Sequence, residues 1–242
     1  MIIYYYHKHN TQYSILDTKE LDFIMTGANL MKRRYTVGEE LCNSISHGIG
    51  ALLSVYGMLL MLQVSILQNN ARKIFASILF GGSLILLYSV STIYHTVTNE
   101  KVKNVLQVFD HCSIFVLIAG TYTPFTLITL QGTTGTVLGT FIWISAIVGI
   151  ILNIIDLNKY KKLSMFCYIA MGWAVVFTFP QLSRAFDKRG ILLMIIGGIM
   201  YTGGTLFYKK KGVNYMHAIW HVFVLLGSLF HFVAIFKYIF LV

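Results

Sequence analysis

Four residues in this sequence have the types and spacing for metal chemistry: His217, His221, His95 and Asp110. His217 and His221 lie four apart at the head of the last apolar run, so on a helix they share one face, one turn apart. Two imidazoles so placed can bind one metal ion from a single helix. Taken alone, the pair fits two buried histidines hydrogen-bonded to neighbours equally well. His95 closes a second apolar run, and Asp110 stands in the second turn of a third. Ionisable residues inside membrane-spanning segments are costly and usually face a cavity or pathway.

With His95 the pair gives three nitrogen ligands, the count of a catalytic zinc site that keeps one position for water or substrate. Asp110 could hold or deprotonate that water, or be a fourth ligand. Ser91, one turn before His95, could donate to the water or to a developing oxyanion. The plainer alternatives are a serine bonded back to its own helix and a structural carboxylate. Glu40, Asn43 and His47 follow at i, i+3 and i+7 on one face of the first apolar run. There they could line a cavity mouth, orient the ligands as outer partners, or cap the helix. His111 follows Asp110 directly and points about 100° away, so it is not expected to be a ligand. His231 lies about 15 Å further along its helix than His221 and is expected to bond between helices.

The elements that must position these residues are membrane helices. The chain of 242 residues is 56% hydrophobic and 12% charged, with a mean hydropathy of +0.69, whereas a soluble domain carries about 25% charged residues. Seven apolar runs, at about 43–67, 73–95, 104–129, 135–155, 163–181, 190–208 and 216–240, each approach the ~20 residues that cross a bilayer. None shows dyad alternation, so the expected fold is all-α, a seven-transmembrane helix bundle and not a barrel. Gly81-Gly82, Gly197-Gly198 and Gly203-Gly204 allow close helix approach. Pro124 and Pro180 should kink or end their helices. Cys42, Cys112 and Cys167 form no CxxC pair and read as buried, inert thiols. Residues 1–35 are polar and tyrosine-rich, with no spanning run. They are expected to be a disordered tail or to lie upstream of a start at Met31, leaving 36–242 as the membrane domain.

The net charge of +10 sits in short connectors, where basic residues set topology and meet headgroups; no nucleic-acid partner is expected. Lys32, Arg33, Arg34, Lys101, Lys103, Lys159, Lys161, Lys162, Lys209, Lys210 and Lys211 fall on one side. Arg72, Lys73, Arg184, Lys188, Arg189 and Lys237 fall on the other. The positive-inside rule then places the N-terminus in the cytoplasm and the C-terminus outside. On that topology His95, Asp110, His217, His221, Glu40, Asn43 and His47 all lie in one leaflet, and reversing the orientation would move them together.

The motifs resemble the hemolysin III branch of the progestin and adiponectin receptor (PAQR) family. The matching stretches are Glu40, Asn43, Ser46, His47 and Gly48; Ser91, Tyr94 and His95; Asp110 and His111 with Ala119 to Phe125; Gly197, Gly198 and Tyr201; and His217, Trp220 and His221. The likeness runs from about residue 36 to the end. It implies a seven-helix fold with the N-terminus inside, and a zinc ion held by His95, His217 and His221 near the cytoplasmic face, with Asp110 and Ser91 around the bound water. Relatives in the wider superfamily include ceramide-hydrolysing enzymes, so the resemblance implies hydrolysis of a lipid amide or ester in a bacterial plasma membrane. Two classes stay open: a zinc-dependent lipid hydrolase, and a non-enzymatic cytolytic pore or lipid-state sensor with structural zinc. A membrane lipid is the expected partner.

Overall fold

The computed structural model describes residues 35–210 and 212–242; the expectations for residues 1–34 lie outside them. Helix α1 spans Val37–Leu67, α2 Ala71–Thr96 and α3 Glu100–Pro124. Asn70 caps α2 by accepting from the Lys73 N–H, and Asn99 caps α3 by accepting from Lys101 and Val102, the usual role of Asn before a first helical turn. Pro124 ends α3, and a π-helical turn, Phe125–Thr129, follows. Then come α4 (Thr133–Gly172), a 3-10 turn (Ala174–Thr178), α5 (Phe179–Ala185), α6 (Lys188–Tyr208) and α7 (Met216–Ile235), with a last π turn at Phe236–Phe240.

The described residues hold six helical stretches long and apolar enough to cross a membrane. Their outward faces are apolar, with Leu52, Leu53, Tyr56, Ile147, Ile151 and Leu192 among the exposed side chains. Such a surface suits hydrocarbon and not water. Neighbouring helices pack in sequence, α1 on α2, α2 on α3, α3 on α4 and α6 on α7, and contacts between α1 and α7 close the bundle.

The stretch Thr133–Ala185 runs for 53 residues and is not one rod. Asp156 has extended backbone, φ −162° and ψ 95°. Beyond it, Ser164 donates to the Asn153 side chain at 2.6 Å, and the Asn153 amide reaches the Tyr168 hydroxyl at 3.4 Å. Residues 11 apart on a straight helix would be separated by about 16 Å, so the chain folds back on itself at Asp156. The sequence reading expects a connector at 156–162. The chain instead turns at Asp156 and stays helical on both sides, because the buried Asn153, Ser164 and Tyr168 satisfy one another across the turn. Tyr168 also donates to the His111 carbonyl at 2.8 Å, which ties the hairpin to α3.

The run expected at 163–181 is helical only to Gly172 before the 3-10 turn. Such a break frees backbone groups that lipid cannot satisfy. The Tyr122 hydroxyl meets them, lying 2.8 Å from the Met171 carbonyl and 3.0 Å from that of Gly172, and accepting the Val175 N–H at 3.0 Å. Pro180 enters at the start of α5, where a missing N–H is tolerated.

Candidate metal centre

The start of α7 is fixed before its histidines are reached. Tyr215 has left-handed backbone, φ 63°, and its N–H donates to the Glu39 carboxylate at 2.8 Å. A carboxylate at a helix N-terminus also complements the helix dipole. That anchor sets the height and rotation of the turn carrying His217 and His221. Glu39 was not among the residues singled out from the sequence. Its signal was in the spacing: Glu39, Asn43 and His47 fall at i, i+4 and i+8 and so share a buried face of α1.

His95, His217 and His221 converge. Each offers one ring nitrogen, and the three lie within 4.8 Å of one another. The Nε2 atoms of His217 and His221 are 3.1 Å apart. Two ligands on one tetrahedral zinc at about 2.0–2.1 Å would be separated by roughly 3.3 Å. His221 is fully buried and His95 only 3% exposed.

Outer contacts fix the tautomers. Glu40 Oε2 lies 2.6 Å from His95 Nδ1 and its other oxygen 2.7 Å from Lys103 Nζ. The carboxylate favours the proton on His95 Nδ1, which puts the ring's lone pair on Nε2. His221 Nδ1 lies 3.3 Å from the Asn43 carbonyl and 3.3 Å from Ser46 Oγ, which likewise turns its Nε2 lone pair toward His217. The donor set therefore fits a metal ion: three convergent imidazoles, two of them oriented by outer partners. Imidazole suits zinc, copper, iron and nickel alike.

His47 lies flat on His221, with ring centroids 3.5 Å apart and 9° between planes, and meets Tyr88 edge-on. Asp110 and Ser91 are brought to the same end of the bundle. Their side chains interact, and both line a cavity of about 270 Å³ whose wall is otherwise mostly apolar. The cavity runs from His47, Ser91 and Asp110 past Tyr201 and His231 to Phe125, Leu182 and Ile191. His111 lines it outside the metal-competent trio. His231 reaches the Met194 carbonyl of α6 at 3.1 Å, an interhelical bond as expected. Cys42, Cys112 and Cys167 are free thiols, but only Cys112 is buried as expected; Cys167 is half-buried and Cys42 is exposed on α1.

The profile of the family described as Haemolysin-III related matches residues 35–232. The Hemolysin-3 homolog of Bacillus subtilis (strain 168) is 41% identical over 194 residues, 80% of this chain and 91% of that protein. Hemolysin-3 of Bacillus cereus is 39% identical over 203 residues, covering 84% and 93%. The human Monocyte to macrophage differentiation factor is 29% identical over 211 residues, covering 85% and 86%. This chain is a multi-pass membrane protein, its bacterial relatives point to the plasma membrane, and it belongs to the haemolysin-III related family.

Proposed function

We propose that the protein is a zinc-dependent hydrolase of a lipid amide or ester bond within the membrane, with a role in membrane homeostasis. The observation that carries this reading is the coincidence of two features at one end of the bundle. Three convergent histidine nitrogens stand beside Asp110 and Ser91, and these two residues open onto a long apolar cavity.

We further infer seven spans, since the stretch Thr133–Ala185 doubles back at Asp156 and so crosses twice. The N-terminus lies in the cytoplasm and the C-terminus outside, on the distribution of basic connectors.

His95, His217 and His221 would hold the ion. When bound, zinc polarises a carbonyl and brings the pKa of water toward neutrality. Asp110 accepts a proton from the attacking water and returns it to the leaving group. Ser91 donates a hydrogen bond to the carbonyl oxygen as charge grows there. The apolar wall, from Leu87 to Ile191, holds an acyl chain and keeps bulk water from the reacting bond.

The name hemolysin carried by the Bacillus relatives favours a second reading, cytolysis through a pore, with zinc as a structural ion. A conducting pore needs a polar path through both leaflets, and the cavity's far wall is Phe125, Leu182 and Ile191.

The test is purified protein with metal analysis, incubated with a lipid panel. One zinc per chain and fatty-acid release support the hydrolase. A full complement of zinc with no release from any lipid shifts the reading to the structural-zinc alternative.

A further inference from the structure

Among the described residues, three buried polar atoms near the histidine cluster find no protein partner: both ring nitrogens of His47, which lines the cavity, and the Oδ1 of Asn43 one turn before it. His47 is 2% exposed and Asn43 fully buried, one turn apart on the same face of α1. Leaving a buried donor or acceptor unsatisfied costs about 1–3 kcal/mol each, so a native site that holds three of them together is built for a polar guest. The Asn43 Nδ2 lies 3.4 Å from His95 Nδ1, and the other end of the amide, Oδ1, is the unbonded one.

The geometry restricts the guest. His47 is pinned by its stack on His221 and its edge contact with Tyr88, so it cannot rotate to find a protein partner. A neutral imidazole offers one N–H and one lone pair. It lines the cavity at the same end as Ser91 and Asp110, where the bond to be cleaved would sit. A plain ester carbonyl only accepts, and so answers only the N–H.

Resting on the hydrolase reading, we propose that His47, backed by Asn43, is a specificity-determining residue that accepts a hydrogen bond from a donor carried by the lipid beside its scissile carbonyl. That donor is an amide N–H or a hydroxyl. The site thus selects N-acyl lipids and hydroxyl-bearing monoacyl esters over lipids with no donor near the carbonyl.

The experiment measures binding, by displacement of a fluorescent lipid from the metal-loaded full chain in detergent. Three probes share one acyl chain: an N-acyl ethanolamide, a 1-monoacylglycerol, and the same glycerol ester with both hydroxyls methylated. Wild-type protein is expected to bind the first two roughly tenfold more tightly than the third, the worth of one buried hydrogen bond. A preference for only one of the first two identifies which donor is read. His47→Phe is expected to bind all three alike, and His47→Asn to restore part of the preference. Zinc content is followed in both, and the wild-type comparison stands even where a variant folds poorly. Equal binding of the three probes by wild-type protein, or an undiminished preference in a zinc-loaded His47→Phe, overturns the assignment while leaving the hydrolase reading intact. Failure of every probe to bind the wild-type protein overturns both.

Discussion

The two ends of the helical bundle use their buried polar side chains differently. At the end formed by the tail of α1, the head of α2 and the last π turn, they answer backbone. Gln68 and Lys73 both donate to the Phe240 carbonyl, at 2.9 and 3.1 Å. Tyr122 plays the same part at the 3-10 break. At the other end the contacts gather on histidines, with backbone bonds beside them: Glu40 meets His95, Ser46 meets His221, and His217 meets His221. Polar groups spent on backbone repair are explained once the helix is whole. Those that meet at the histidines hold three ring nitrogens within 4.8 Å of one another, an arrangement that could hold a metal ion.

The sharpest way to break this contrast is His217→Ala. It removes one of the three candidate ligands and is expected to abolish stoichiometric zinc and lipid release together, read by metal analysis of the purified variant. Retention of a full zinc equivalent would remove His217 from the site. Next in size is Asp110→Asn, expected to keep most of the metal while lipid release falls about 10²–10⁴-fold. A zinc-replete variant with wild-type release would show that the carboxylate moves no proton. Glu40→Gln should weaken zinc binding about 10–100-fold, measured by chelator competition, because the acceptor that orients the His95 ring loses its charge. The smallest effect belongs to the opposite end. Tyr122→Phe should lower stability by about 1–3 kcal/mol in a detergent unfolding curve, with zinc content unchanged. A drop in metal there would show that the two ends are coupled.

Much of the frame was legible because hydropathy reports directly on length and burial in lipid. The long apolar runs became α1, α2, α3, α6 and α7 with boundaries within a few residues, apart from an early start to α1 at Val37. Pro124 marked a real helix end. The chain reversal at Asp156 was foreseen only as a connector, since nothing in local composition distinguishes a tight hairpin from a loop. The 3-10 break after Gly172 was not foreseen, because its compensation comes from Tyr122, some fifty residues away. At the site, one-turn spacing on α7 and the common leaflet pointed to His95, His217 and His221, which the fold brings within ligand distance. The pairing of Glu40 with His95 was beyond the sequence, since it depends on how α1 is rotated against α2. The same holds for the Glu39 anchor on Tyr215.

The hairpin at Asp156 bears on how the protein is made. Asn153 lies on one arm; Ser164 and Tyr168 lie on the other. An arm released alone into lipid would carry a side-chain amide or two hydroxyls into hydrocarbon with no partner, an expensive state. The arms therefore favour leaving the insertion machinery as a pair. Their turn has no long loop to delay closure, and pairing cancels the polarity of both at once. A charge-neutral Asn153→Leu would make the first arm insert more readily in isolation while depriving Ser164 of its partner, so ease of insertion and strength of assembly would move in opposite directions.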